Sequence, residues 1–235
     1  MLLFFKKIRR GLLSDNRFTK YLLYALGEII LVVIGILIAL QINNWNANRL
    51  KRQQEIKSYQ DIRQQITDDM NEIIRVKNFN NYFSDHFTRA SQIISANDRT
   101  KTDSLTLMAM MLSQTSDFFR SGNIYETLVN SGNLKLLKNT DITSRLQKLE
   151  MTYTHINRLE EIHWEIVMDE FSPEIKGVIN YATQKAVKPE KLYSVEIQNI
   201  FIECIFLSKG KEAIYDQAIG EIEEIVNLID EELGT

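Results

Sequence analysis

The sequence contains few residues that interrupt a helix or crosslink a fold. Its 235 residues include one cysteine, two prolines and nine glycines. A single cysteine excludes a disulfide bond within one chain. Because proline and glycine are the strongest helix breakers, their scarcity favours long helices over a sheet, which needs many turns. We therefore predict an all-α protein, with one N-terminal transmembrane helix followed by a long-helix extracytoplasmic bundle.

The sequence also lacks the patterns that many chemistries require. It has no glycine-rich phosphate loop, no zinc-binding spacing and no catalytic-triad spacing. Its formal net charge is -3, and the chain after the first 20 residues is acidic, so it has no electrostatic footprint for nucleic acid. These features predict a protein that is not an enzyme, uses no cofactor and binds no nucleic acid.

One pair of residues has the spacing of metal ligands. Glu160 and His163 follow the Glu-x-x-His pattern of di-iron bundles, but such a centre needs two of these pairs and two further glutamates. His86 and His155 have no carboxylate at the same offset. We therefore predict no metal site and interpret His163 as a helix-surface or interhelical histidine. Cys204 lies among apolar residues, where a thiol behaves as a small hydrophobic group.

Residues 21–42, YLLYALGEIILVVIGILIALQI, form a long apolar run with one ionisable group. About 20 such residues are enough to cross a hydrocarbon layer of about 30 Å. A cleaved signal peptide has a shorter apolar core and a small-residue cleavage site. The run is therefore predicted to be a transmembrane helix, flanked by a basic amphipathic cytoplasmic tail (1–20) and by an extracytoplasmic helical bundle domain (43–235).

The charges around this segment predict its orientation. Residues 1–20 contain six lysines or arginines, whereas four follow the span within a comparable distance. Positive charge is retained on the cytoplasmic side of a membrane. We expect a bacterial inner-membrane protein with a cytoplasmic N-terminus and a periplasmic domain.

Glu28 is the ionisable residue inside this segment. Such a group costs a few kcal/mol in a membrane and usually has a partner or a task. Glu28, Val32, Gly35 and Ala39 lie at helical steps of four and three, and Gly35 with Ala39 is a small-xxx-small pair. We predict that this face packs against another membrane helix. The alternative is a proton-coupled carboxylate, as in single-pass subunits of ion-driven machines.

Beyond the span, apolar residues recur every three or four positions and predict one long helix to about residue 97. Residues 43–46 are predicted to be its flexible exit from the membrane. So long a helix needs cover from other helices or from a second chain, as in a coiled coil. The predicted apolar stripe consists of Leu50, Ile56, Tyr59, Ile62, Ile66, Met70, Ile73, Val76, Phe79, Phe83, Phe87 and Ile94.

Two Ser-Gly-Asn segments, at 121–123 and 131–133, predict a compact corner. Loops often carry function, so this corner is a candidate partner surface. Before it, a turn at 98–103 leads to a Met-rich helix at 105–112, whose methionines are expected to fill gaps in the core rather than bind metal.

Three further helices are predicted after the corner. The first is capped by Thr140 or Asp141 and ends near Pro173. The second covers 197–207, which is too short to cross a membrane. The last has an apolar stripe from Ile214 to Leu233 opposite an acidic face.

Two segments carry a resemblance to a known family. LGEIILVVIGILIALQINNWN (26–46), preceded by the basic segment LLFFKKIRRGLL, resembles the N-terminal signature of an uncharacterised family of Bacteroidota single-pass membrane proteins. LVNSGNLKLLKN (128–139) is similar to that family's second recurrent segment. The resemblance implies a bacterial inner-membrane location and gives no activity or site residues.

These observations favour a structural or interaction protein, anchored in the membrane and associating with itself or with another membrane protein. One alternative is an extracytoplasmic ligand-sensing protein or an accessory subunit of a larger complex. With about 20 residues inside the cell, such a sensor would signal through a membrane partner. Which small molecule it would bind stays open, as does the ion-driven role, which depends on Glu28.

Overall fold

We describe a computed structural model of the chain, in which residues 18–234 are placed. The predicted basic tail lies almost entirely outside these residues. The chain forms two compact units, Met1–Glu55 and Ile56–Thr235. The described part is largely helical, with loops and one very short hairpin between the helices, so the all-α prediction is confirmed. The main helices are α1 (Phe18–Ser95), α2 (Thr102–Met111), α3 (Ile124–Asn130), α4 (Thr140–Glu165), α5 (Ser172–Ile175) and α6 (Val195–Leu233).

The described part of the first unit is helical throughout and belongs to α1. Among the described residues, α1 is the one helix long and apolar enough to cross a membrane, and its apolar stretch is not buried within the protein. Residues 43–46 continue the helix, so the predicted flexible exit at this point is wrong. An Asn-rich tetrapeptide weakens a helix by only a few tenths of a kcal/mol per residue, which its helical neighbours can overcome.

The second unit buries two apolar clusters. The first combines Tyr59, Ile62, Ile66, Ile73 and Val76 of α1 with the inner faces of α4 and the C-terminal half of α6. The second combines the end of α1, the helix α2 and the N-terminal half of α6. The predicted stripe of α1 is therefore largely confirmed, although Leu50 is 49% exposed. Met108, Met110 and Met111 pack against the second cluster, as expected of gap-filling methionines.

The two final helices predicted from the sequence are one continuous helix of 39 residues, α6. The residues between the two predicted helices stay helical, and two of them, Ser208 and Lys211, are buried. The Ser208 carbonyl accepts a hydrogen bond from the Asn80 side chain at 2.9 Å. One glycine inside a helix costs only about 1 kcal/mol, so Gly210 does not end α6. The predicted stripe of its C-terminal half is confirmed at Ile214, Ala218, Ile222, Ile225 and Ile229, which are all buried.

The start of α4 differs from the prediction by one residue. Asn139 is the N-cap, because its side-chain oxygen accepts hydrogen bonds from the backbone N–H groups of Asp141 and Ile142 at 3.0 and 3.3 Å. The helix ends at Glu165 and continues as a π-helical segment, Ile166–Phe171, and then as α5. Helical structure thus ends close to Pro173, as predicted.

The predicted corner is confirmed. Asn123 caps α3 through a hydrogen bond from the Glu126 backbone at 3.3 Å. Gly132 has φ +71°, a conformation that other residues rarely adopt, and precedes a 3₁₀ turn at Asn133–Leu136. A hairpin that the sequence did not predict pairs β1 (Ile179–Asn180) with β2 (Lys185–Ala186) in antiparallel register. Further 3₁₀ turns cover Arg99–Lys101 and Pro189–Tyr193.

Candidate functional site

The most distinctive feature of the second unit is a buried group of polar side chains between α4, α6 and the segment before α3. It consists of Ser116, Glu160, His163, Lys211 and Tyr215, each at most 6% exposed. The Lys211 side chain has no exposed surface. Burying charged groups is costly unless each one is paired and hydrogen-bonded, so the contacts of this group determine whether the fold tolerates it.

Its hydrogen bonds form a connected chain. Lys211 Nζ lies 2.7 Å from Ser116 Oγ and 2.8 Å from His163 Nδ1. Ser116 Oγ lies 3.0 Å from the Tyr215 hydroxyl, which donates to Glu160 Oε1 at 2.6 Å. The other carboxylate oxygen, Oε2, accepts the backbone N–H of Phe118 at 3.0 Å. An ionised Glu160 therefore has both oxygens satisfied.

The direction of each hydrogen bond follows from the number of available protons. The Tyr215 hydroxyl has one proton and gives it to Glu160, so Ser116 must donate to Tyr215. Ser116 Oγ then accepts from the Lys211 ammonium. The chain thus connects a cation to an anion through two hydroxyl groups, and it balances the buried charges of Lys211 and Glu160.

Burial shifts the proton affinities of these groups. Loss of solvation lowers the pKa of Lys211 to about 8, although the negative charge of Glu160 offsets part of this decrease. Burial, together with the charge of Lys211, lowers the pKa of His163 to about 3, so the ring is neutral at pH 7. Desolvation raises the pKa of Glu160 above its usual value. The raised pKa of Tyr215, also caused first by burial, keeps its hydroxyl protonated as a donor.

A Ser–Lys contact resembles the nucleophile and base of some hydrolases. Here Lys211 carries its proton at neutral pH because its pKa is about 8, and it donates that proton to Ser116. The arrangement is therefore suited to holding three segments of chain together. His163 is interhelical, as the sequence suggested, and its Nδ1 contacts an ammonium group rather than a metal. Among the described residues, no three His, Cys, Asp or Glu side chains are grouped to hold a metal ion.

A second buried contact ties the predicted corner to α1. Asp69 has no exposed surface and accepts hydrogen bonds from the Ser121 backbone N–H at 2.7 Å and the Ser121 hydroxyl at 2.9 Å. The Tyr153 hydroxyl donates to its other oxygen at 3.2 Å. Part of the corner proposed as a partner surface is therefore used for internal packing.

A solvent-accessible pocket lies directly beside the buried chain. Its volume is about 260 Å³. Ser116 and Glu160 are its buried members, and Trp164 is a large aromatic side chain that is 53% exposed. The lining residues are Thr115, Ser116, Asp117, Asn157, Glu160, Glu161 and Trp164. The pocket therefore combines polar side chains, which the hydrogen-bonded chain holds in place on one side, with an exposed indole.

The residues predicted for membrane packing lie elsewhere, in the first unit. Glu28, Val32, Gly35 and Ala39 are all exposed on α1. Glu28 and Val32 border a shallow apolar concavity of about 310 Å³ together with Ala25, Ile29 and Val33. Their packing against another helix stays a prediction.

Comparison with known proteins adds the family. A family of unknown function, DUF6090, matches residues 28–210. The chain belongs to this family. No curated protein and no solved structure matches this member of DUF6090. The matched region includes Glu28 and three members of the hydrogen-bonded chain, Ser116, Glu160 and His163, and it ends one residue before Lys211, so Lys211 and Tyr215 lie outside it.

Sequence reasoning missed Ser116, Lys211 and Tyr215. One signal was available, because Lys211 lies in register with the apolar stripe at Ile214 and Ala218, where a lysine must be buried or must interrupt the stripe. Its partners could not be read from the sequence, since Ser116 lies 95 positions away.

Proposed function

We propose that this DUF6090 member is a membrane-anchored interaction protein that associates through the face of α1 formed by Glu28, Val32, Gly35 and Ala39. The observation that carries the proposal is the exposed apolar stretch of α1, which contains one carboxylate. In a membrane, an isolated helix would present Glu28 to hydrocarbon, at a cost of a few kcal/mol. Contact with another helix can hydrogen-bond this group and lower that cost.

The small residues on the same face support this contact. A Cβ atom added at Gly35 would meet nothing within 4 Å, so a second helix has room to approach the backbone there. Small residues at a four-residue spacing allow such close approach in membranes. The first expected partner is a second copy of this chain, and the next is another membrane protein. The proposed role is binding rather than catalysis.

The proposed location is the bacterial inner membrane, with the N-terminus in the cytoplasm and the second unit in the periplasm. The excess of basic residues before the span supports this orientation. A membrane-impermeant thiol reagent should label a cysteine introduced at the exposed residue Lys209 in intact cells, in a Cys204→Ser background. Labelling only after the membrane is opened would reverse the orientation.

The association is tested by crosslinking in native membranes followed by mass spectrometry. Gly35→Ile should reduce the crosslinked species severalfold because it fills the contact face. Gly27→Ile is the matched control, since Gly27 also has open space around it but lies about 100° from Glu28 on the helix. Equal crosslinking of both variants would contradict the proposal. A Glu28→Gln variant that associates and functions normally would exclude proton coupling.

A second candidate function is ligand sensing in the second unit. The observation that favours it is the pocket beside Ser116 and Glu160, which is open to solvent and borders side chains with fixed hydrogen bonds. Preorganised polar groups reduce the cost of binding. In this proposal, a signal from this pocket passes to the membrane partner that associates with α1.

A further inference from the structure

The pocket beside the buried chain offers hydrogen-bond acceptors and no basic side chain. Its lining includes three carboxylates, of Asp117, Glu160 and Glu161, and no lysine or arginine. Carboxylates accept hydrogen bonds and cannot donate them when ionised. A ligand that matches this lining must therefore supply donors.

Two of the three carboxylates are already compensated. Glu161 forms an ion pair with Arg158 at 2.7 Å. Glu160 accepts hydrogen bonds from Tyr215 and from the Phe118 backbone, and the buried Lys211 balances its charge. Neither Glu160 nor Glu161 therefore needs a cationic ligand to balance its charge.

Asp117 differs from both. It is exposed at the pocket, and within the part of the chain that the structure describes it forms no ion pair or hydrogen bond. It adjoins Ser116, whose position is fixed by Lys211 and Tyr215. With Arg158 set against Glu161 and Lys211 against Glu160, the pocket keeps one net negative charge, at Asp117, on which the buried Lys211 acts only from a distance.

Trp164 provides a second and independent contribution. Its indole is 53% exposed, although the fold buries most of its other aromatic rings at least in part. It lines the same pocket as Asp117. The face of an indole is the aromatic surface that best attracts a cation, and the attraction strengthens when the cation is desolvated in a pocket.

We propose that this pocket binds a small organic cation, an alkylammonium group whose charge meets Asp117 and whose apolar part contacts Trp164. The volume of about 260 Å³ suits a compact ligand. The N–H donors of the ammonium match the acceptor-rich lining, and the alkyl part covers the indole. This inference rests on the ligand-sensing candidate and names the chemical class of the ligand.

Trp164 allows binding to be measured directly. The chain has two tryptophans, so Trp45→Phe leaves Trp164 as the only indole in the full-length protein. This protein, in detergent micelles, is titrated with n-butylammonium chloride, and in parallel with sodium chloride and with 1-butanol, an uncharged analogue of similar size. We expect a saturable change in tryptophan fluorescence with butylammonium alone.

Two variants assign the effect to the pocket. Asp117→Asn keeps the shape of the side chain and removes the charge, and it should weaken butylammonium binding by at least about tenfold, the effect of losing one charge pair of about 1.4 kcal/mol. Glu165→Gln removes an exposed carboxylate beside Trp164 that does not line the pocket, and binding should be unchanged. Unaltered circular dichroism shows that both variants are folded.

The outcomes separate the ligand class from the wider function. Equal responses to butylammonium and 1-butanol, or unchanged binding in Asp117→Asn, would overturn the cation proposal. Saturable binding of a neutral polyol such as myo-inositol in place of butylammonium would also overturn it, while ligand sensing would stand. Binding of neither probe would overturn both. Crosslinking through α1, measured for the same variants in native membranes, reports the association separately and should be the same in Asp117→Asn.

Discussion

Replacing Lys211 by methionine is the perturbation that tests the buried hydrogen-bonded chain most strongly. Methionine has a similar length and leaves no large cavity. It removes the donor to Ser116 and His163 and leaves the Glu160 carboxylate without its buried counter-charge. Removing one charge of a directly paired buried ion pair costs about 3–5 kcal/mol, and here the two charges are connected through Ser116 and Tyr215. Because Glu160 already has a raised pKa and can take up a proton, we expect the lower end, about 3 kcal/mol.

The assay is urea denaturation of the full-length protein in micelles at pH 7, followed by far-UV circular dichroism. Lys209→Met is the matched control, since Lys209 is exposed on the same helix. The double variant Glu160→Gln with Lys211→Met should lose less than the two single variants added together, because the charge left behind by Lys211→Met is then also removed. A loss for Lys211→Met no greater than for Lys209→Met would refute the reasoning.

The pH dependence of the free energy of unfolding also tests the burial of Lys211. The folded pKa of Lys211 is about 8, against an ordinary value of 10.5. Between these two values the unfolded chain holds the proton more tightly than the folded protein, so stability rises with pH. The wild type should gain up to about 3 kcal/mol relative to Lys211→Met as the pH rises from 8 to 10.5. If the stabilities of the two proteins change with pH in parallel, burial does not lower the pKa of Lys211.

Three further predictions concern other parts of the second unit. His163 has a folded pKa of about 3 against 6.5, so on acidification from pH 7 to 5 the wild type should lose about 2 kcal/mol more than His163→Gln in urea denaturation. Asn139→Ala removes the cap of α4 and should lower the free energy of unfolding by about 1 kcal/mol in the same assay. No loss of stability would show that Asn139 does not cap this helix. Gly132→Ala should lower the melting temperature, because a side chain is strained at φ +71°. Gly220→Ala should raise the melting temperature, because Gly220 lies inside α6 with open space around it. Melting temperatures that change in the same direction in both variants would contradict this account.

The sequence was sufficient to predict the helices whose apolar residues keep a clear period. The stripe from Tyr59 to Val76 and the stripe from Ile214 to Ile229 are buried as expected. These predictions succeeded because burial of one face dominates the free energy of such helices.

The ends and joins of the helices were predicted less well, because they depend on single contacts. Asn139 caps α4 although Thr140 and Asp141 are equally good capping residues by type. α6 runs unbroken through Gly210, and the residues on either side of it have partners in distant segments: the Ser208 carbonyl accepts from Asn80, and the Lys211 side chain donates to Ser116. The hairpin at Ile179–Asn180 is too short to show an alternating pattern.

The candidate site was only partly visible in the sequence. The spacing of Glu160 and His163 drew attention to this pair, and of the two interpretations left open for His163, helix-surface or interhelical, the structure shows the interhelical one. The chemistry of this pair depends on Ser116, Lys211 and Tyr215, which are brought to it by the packing of α6 and the segment before α3. The pocket could not be foreseen, since its lining comes from two segments about 40 positions apart.

The proposed association through α1 is tested most directly by a cysteine scan of the span in native membranes. Single cysteines are placed at each position from 29 to 42 in a Cys204→Ser background, and disulfide-linked species are measured after mild oxidation. The account predicts maxima at Val32, Gly35 and Ala39, with minima on the opposite face. Uniform crosslinking, or maxima on the opposite face, would contradict it.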